Sequence, residues 1–95
     1  MELKELQNII YKFQKNRSTE LNIELTPELV FLHLSEEIGE IARQLINNKY
    51  PQFRKYDEDN MKEEIIQALL DLMVLSKIYN IDLNTECINE STVKS

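Results

Sequence analysis

Between Asn60 and Tyr79 the apolar residues do not keep to one side. Met61, Ile65, Ile66, Ala68, Leu69, Leu70, Leu72, Met73, Val74, Leu75 and Ile78 crowd so closely that a helix built from them is oily around most of its circumference. Such a helix must be covered on every side. A chain of 95 residues has little with which to cover it, so a second copy is expected to supply one wall. Within the run Ala68-Leu69-Leu70-Asp71-Leu72-Met73-Val74-Leu75 stands a single carboxylate, Asp71. An unpaired charge in an apolar setting is costly. Asp71 therefore needs a cation, a metal ion or an edge open to water. Glu64 and Gln67 precede it at helical spacing and share its face, drawing a polar stripe along the oily helix.

The rest of the chain reads as all-α. One glycine and two prolines leave few breaks, and strand-like alternation is scarce. Leu3, Leu6, Ile9, Ile10 and Phe13 mark a first amphipathic helix over residues 2 to 16, with Asn16-Arg17-Ser18-Thr19 as its break and residues 17 to 25 as a loop. Thr26-Pro27-Glu28 starts a second helix: Thr26 can cap, Pro27 suits the first helical position and Glu28 sits in the first turn. Leu34, Ile38, Ile41 and Leu45 form its apolar line, and Asn47-Asn48 with Pro51 end it. Residues 48 to 59 connect to the third helix as a lid or a short helical turn, and Asp59 or Asn60 is expected to cap that helix. Asn80 ends it. Asp82 can cap a short fourth helix on which Cys87 and Ile88 pack inward, and residues 90 to 95 form a frayed polar tail. The whole, residues 1 to 95, is expected to be one domain, a small four-helix bundle.

A net charge of −6 without any Lys/Arg-rich run argues against nucleic acid and against an anionic membrane surface. No apolar run has the length of a membrane span. The segment Met1-Glu2-Leu3-Lys4-Glu5 is charged and amphipathic, unlike a signal peptide, and the single cysteine allows no internal disulfide. A reduced, cytoplasmic setting is the expectation.

Glu36-Glu37-Ile38-Gly39-Glu40 lies in the middle of the second helix. Glu37 and Glu40 share a face at the border of the apolar line, with Glu36 further out. Gly39 costs the helix about 1 kcal/mol relative to Ala, tolerable where a neighbouring backbone or ligand must come close. If the second and third helices are antiparallel, Glu37 and Glu40 approach Glu64, Gln67 and Asp71. Four carboxylates and an amide would repel without a cation. Oxygen donors in that number select a hard divalent ion, Mg²⁺ first and Mn²⁺ next. Mg²⁺ shares its shell with waters and phosphates, so a phosphorylated substrate follows. Two plainer readings stay open at this level: glutamates at helical spacing commonly form a solvated face, and Asp71 could be a rim residue or the partner of Lys77 or Arg43. His33, on the same flank as Glu37, is expected to be packed or exposed rather than a ligand.

The run Leu34-Ser35-Glu36-Glu37-Ile38-Gly39-Glu40-Ile41-Ala42-Arg43, then Glu63-Glu64-Ile65-Ile66, then Asn80-Ile81-Asp82-Leu83, resembles the MazG-like all-α nucleoside triphosphate pyrophosphohydrolases over residues 3 to 88. The resemblance implies a Glu-x-x-Glu pair on one helix and a Glu-x-x-Asp pair on the next, together binding Mg²⁺. Glu37, Glu40 and Glu64 match. The expected Asp falls at Gln67, an amide that brings no charge and would serve as a weak or outer ligand, while Asp71 lies one turn further along the same face. The resemblance also implies cleavage of a (deoxy)nucleoside triphosphate to monophosphate and pyrophosphate, and dimers or tetramers. The expected metal set is thus Glu37, Glu40, Glu64 and Asp71. Glu36 or Glu63 would orient or deprotonate the attacking water. From the residues alone, Lys49, Arg54 and Lys55 of the connection are candidates to face phosphate, with plain solvation of exposed basic residues as the open alternative. The alternative, prompted by Gln67, is a catalytically impaired bundle kept for self-association or regulatory nucleotide binding.

Overall fold

The computed structural model describes residues 1 to 93, with side chains through Thr92. Its order is α1 (Leu3–Glu20), α2 (Pro27–Lys49), α3 (Glu58–Ile78) and α4 (Leu83–Val93). There is no strand among the described residues.

Thr26 caps α2 through its Oγ1, which accepts from Leu29 N at 3.1 Å, and Pro27 opens the first turn. The cap of α3 is Asp57, one turn earlier than Asn60, with Oδ1 accepting from Asn60 N at 3.0 Å. Asp82 serves α4 by the same device, its carboxylate accepting from Thr85 N and Oγ1. These bonds hold the Asp82 carboxyl below its ordinary range.

Two asparagines stop helices. At the end of α1, Asn22 takes φ 56°, Asn22 N donates to Thr19 O and Ile23 N to Ser18 O. At the end of α3, Asn80 takes φ 57°, Asn80 N donates to Lys77 O and Ile81 N to Ser76 O. Both are the paired closing bonds of a left-handed C-terminal cap, a conformation Asn tolerates better than most residues. The expected break at Asn16 therefore lies inside α1, and Ser18 is buried rather than in a loop. The α2–α3 connection is a short turn over residues 51 to 53, and α4 continues through Glu90 to Val93. Lys94 and Ser95, the end of the expected tail, lie outside the described residues.

α2 and α3 run antiparallel. Gln44 meets Asn60 at one end of the pair and His33 meets Asp71 further along. They share the most extensive contact in the fold; α1 packs on α3, and α4 touches α1 lightly. Gln7 of α1 is buried and ties the layers together, its Nε2 donating to Ile81 O at 2.9 Å and Met73 O at 3.4 Å. The apolar core is small: Val30, Leu34, Ala68, Met73 and Val74 are its buried members. Ile65, Ile66, Leu69 and Leu72 of α3 stay about half exposed, as do Ile38 and Leu45 of α2. Cys87 and Ile88 are also exposed, contrary to their expected inward packing, because α4 meets only the edge of α1. No described helix is long and apolar enough to cross a membrane.

Candidate metal centre

The α2–α3 register sets the site. With His33 opposite Asp71 and Gln44 opposite Asn60, Glu37 falls in the middle of the interface, one turn from His33 on its own helix. Glu37 and Asp71 are each 95 % buried (5 % exposed), on facing helices with few ways to turn aside. His33 Nδ1 sits between them, 2.9 Å from Asp71 Oδ2 and 2.8 Å from Glu37 Oε1. The first contact has hydrogen-bond geometry, with the donor set by the imidazole tautomer. The second does not: neither oxygen of Glu37 has a hydrogen-bond partner. A buried carboxylate without a hydrogen-bond partner is rare in a folded protein and calls for an explanation.

Electrostatics say the same. Burial raises the Glu37 carboxyl from 4.5 to about 8, helped by the closeness of the Asp71 carboxyl and by the charges of Glu64 and Glu36. Without a cation, Glu37 holds a proton at neutral pH. A divalent ion between Glu37 and Asp71 would displace that proton. Ligand atoms of His33, Glu37 and Asp71 lie within 4.8 Å of one another, close enough for one ion.

Two hollows flank this trio. The first, of about 450 Å³, is lined by Glu36, Glu37, Gly39, Glu40, Arg43 and Glu64 together with His33. The second, of about 410 Å³, lies between α1, the α1–α2 turn and the α2–α3 layer. Its walls are mostly apolar (Phe13, Leu21, Ile23, Leu25, Leu29, Val30, Val74), with Gln14, Arg17, Gln67 and Asp71 at its polar edge. His33 borders both hollows.

The sequence-derived residues divide accordingly. Glu37 and Asp71 meet. Glu40 and Glu64 line the acidic hollow but lie outside the tight group. Glu36 lines that hollow as well, whereas Glu63 is exposed on α3 and does not line it. Gln67 faces the apolar hollow. Arg54 lines a separate hollow with Phe53 and Ile46, Lys49 lies 5.5 Å from the ring of Tyr50, and Lys55 is exposed. The cation that does line the acidic hollow is Arg43, whose Nε is 3.7 Å from Glu40 Oε1. Asp71 finds His33 as its partner, not Arg43 or Lys77. The signal for His33 was present: it stands four residues before Glu37, on the same face of the helix. Compared with family models, with curated proteins and with solved structures, the chain finds no match.

Proposed function

We propose that the chain is a divalent-cation-dependent nucleotide pyrophosphohydrolase that cleaves a nucleoside or deoxynucleoside triphosphate to monophosphate and pyrophosphate. The observation that carries this reading is Glu37: buried, without a hydrogen-bond partner, and set against Asp71 at the edge of an acidic hollow. Glu37 and Asp71, with Glu40 and Glu64 from the hollow's wall, would hold Mg²⁺, or Mn²⁺ in its place. Bound there, the ion supplies positive charge against the triphosphate and lowers the pKa of a water. Glu36, on the same wall, is placed to take that water's proton, and Glu63 would act only from further out. Arg43 offers the guanidinium that reaches phosphate from within the hollow, ahead of Lys49, Arg54 and Lys55. The apolar hollow beyond His33 has the volume and lining to shelter a nucleobase, with Gln67 at its edge to read a base edge by hydrogen bonding.

The test is pyrophosphate release from a panel of nucleoside triphosphates, with Mg²⁺ and with chelator. Cation-dependent release is expected, falling at least about a hundredfold in Asp71→Asn. No release from any triphosphate, or release indifferent to Asp71→Asn, would overturn the reading. Gln67 favours a second reading, an impaired bundle that binds nucleotide without cleaving it. Cation-dependent binding with no turnover would select that reading.

The same proposal includes a second copy of the chain. A compact monomer of 11.3 kDa exposes about 5,700 Å², whereas this chain exposes 7322 Å². Its radius of gyration, 15.8 Å, likewise exceeds the roughly 12 Å of a compact domain of this length. The excess of about 1,600 Å² is on the scale of a stable interface. Phe31, Ile38 and Leu45 repeat at seven-residue spacing on α2, each more than half exposed, and Leu69 and Leu72 of α3 are about half exposed. The space beside Gly39 is open for 4 Å around where a Cβ would stand, so none of the described residues makes the close approach its presence anticipates.

A further inference from the structure

We propose that His33 Nδ1 is a direct ligand of the cation, so that the centre is a mixed nitrogen–oxygen site that prefers Mn²⁺ and its first-row neighbours to Mg²⁺. The inference rests on the reading of Glu37 and Asp71 as cation ligands. It does not require that the chain hydrolyse anything.

Three observations carry it. The first is the donor geometry. An octahedral ion with bonds of about 2.1 Å separates adjacent donor atoms by about 3.0 Å. Nδ1 lies 2.8 Å from Glu37 Oε1 and 2.9 Å from Asp71 Oδ2, close to two such edges. The second is the failure of a hydrogen-bond account. A neutral imidazole has at most one proton on Nδ1, and that proton can serve Asp71. Glu37 then remains buried with both oxygens unpartnered, which a lone histidine does not remedy. A cation among the three satisfies all of them at once. The third is rigidity. His33 and Glu37 are one turn apart on α2, and Asp71 faces them from α3. Two packed helices hold the three donors, an arrangement that recurs in metal sites built inside helical bundles.

The nitrogen decides the preference. Carboxylate and water suit Mg²⁺, whereas imidazole suits the later divalent ions, whose affinity rises across the first row. Two carboxylates and one imidazole leave open positions for water or phosphate oxygens, so the site can still work with abundant Mg²⁺ while binding Mn²⁺ more tightly. The His33 side chain is 56 % exposed, so its replacement removes little packing and tests the ligand rather than the fold.

The experiment uses Mn²⁺ alone, without nucleotide. Pulsed electron paramagnetic resonance of the Mn²⁺-loaded protein is expected to show ¹⁴N coupling from one imidazole. Competition titration is expected to give an Mn²⁺ affinity at least about tenfold above that for Mg²⁺. In His33→Gln the ¹⁴N coupling should vanish and the preference shrink at least about fivefold, with thermal unfolding close to that of the wild type. Mn²⁺ bound without nitrogen coupling, an unchanged preference in His33→Gln, or no saturable Mn²⁺ binding would each overturn the proposal. Pyrophosphate release is read separately. Nitrogen coupling without release refutes the hydrolase and leaves the metal site standing; release from a protein whose Mn²⁺ shows no nitrogen refutes the ligand and leaves the hydrolase.

Discussion

Glu37→Gln is expected to stabilise the cation-free protein, and to do so more strongly as the pH rises. The folded chain raises this carboxyl from 4.5 to about 8, chiefly by burial and then by its closeness to Asp71. Between those two values the folded state holds a proton that the unfolded state has released. Stability must then fall as pH climbs through that window and level off above it. At about 1.4 kcal/mol for each pH unit, the full loss amounts to no more than about 5 kcal/mol. Water reaching the pair through the neighbouring acidic hollow weakens the effect, and about 2 kcal/mol is the expected value. Gln carries no charge at any pH. Its advantage over the wild type should be near zero below pH 4.5 and complete above about pH 8. For a chain of this size, 2 kcal/mol is a Tm difference of about 10 °C. The assay is thermal unfolding in chelator at fixed protein concentration, from pH 4 to about 9. Saturating Mn²⁺ should then reverse the order, raising the wild type by about 2–3 kcal/mol at a hundred times Kd and leaving Glu37→Gln almost unmoved. A Gln variant less stable than the wild type in chelator at high pH, or parallel pH profiles for the two proteins, would refute the reasoning.

Other consequences can be checked independently. Gln67→Asp adds a carboxylate one turn before Asp71 on α3 and should keep or raise cation-dependent pyrophosphate release; a clear loss would show that the amide has a task of its own at the apolar hollow. Gln44→Ala removes the bond to Asp57 N at 2.9 Å and the bond to Asn60 at 3.1 Å, and takes away a buried side chain that spans the two helices. Urea unfolding should show a loss of about 2–3 kcal/mol. The double change Ile38→Lys with Leu45→Lys places charge on the exposed stripe of α2 and should abolish the proposed self-association, read as single chains in sedimentation equilibrium where the wild type forms a larger species, without loss of helix in circular dichroism.

The helical content was legible because it follows from local rules. Thr26-Pro27 starts α2 as anticipated, and Asn80 ends α3, each by side-chain or backbone chemistry confined to a few residues. The end of α1 was misplaced at Asn16 because a polar cluster looks like a break. The actual stop is Asn22, and what distinguishes the two is that Asn22 adopts the left-handed conformation and Asn16 does not. The cap of α3 shifted to Asp57 for a similar reason: Asp57, Asp59 and Asn60 are all competent, and Gln44, reaching across to Asp57 N, fixes the choice from another helix. The meeting of Glu37 with Asp71 could be anticipated from periodicity, given antiparallel packing. The placement of His33 between them could not. Its spacing to Glu37 was visible, but its contact with Asp71 depends on the register between two helices, which no single-helix pattern specifies. Likewise the apolar run of α3 announced a need for cover, and the fold satisfies it on one side while Ile65, Leu69 and Leu72 remain half exposed.

The central claim is that carboxylates from α2 and α3 close on one cation that in turn holds a triphosphate. Anomalous diffraction from a crystal soaked with Mn²⁺ and a non-hydrolysable nucleoside triphosphate measures this directly. The account predicts a manganese peak within bonding distance of both Glu37 and Asp71, in contact with phosphate oxygens. A peak elsewhere, or a triphosphate bound with no manganese at those two carboxyl groups, would contradict it.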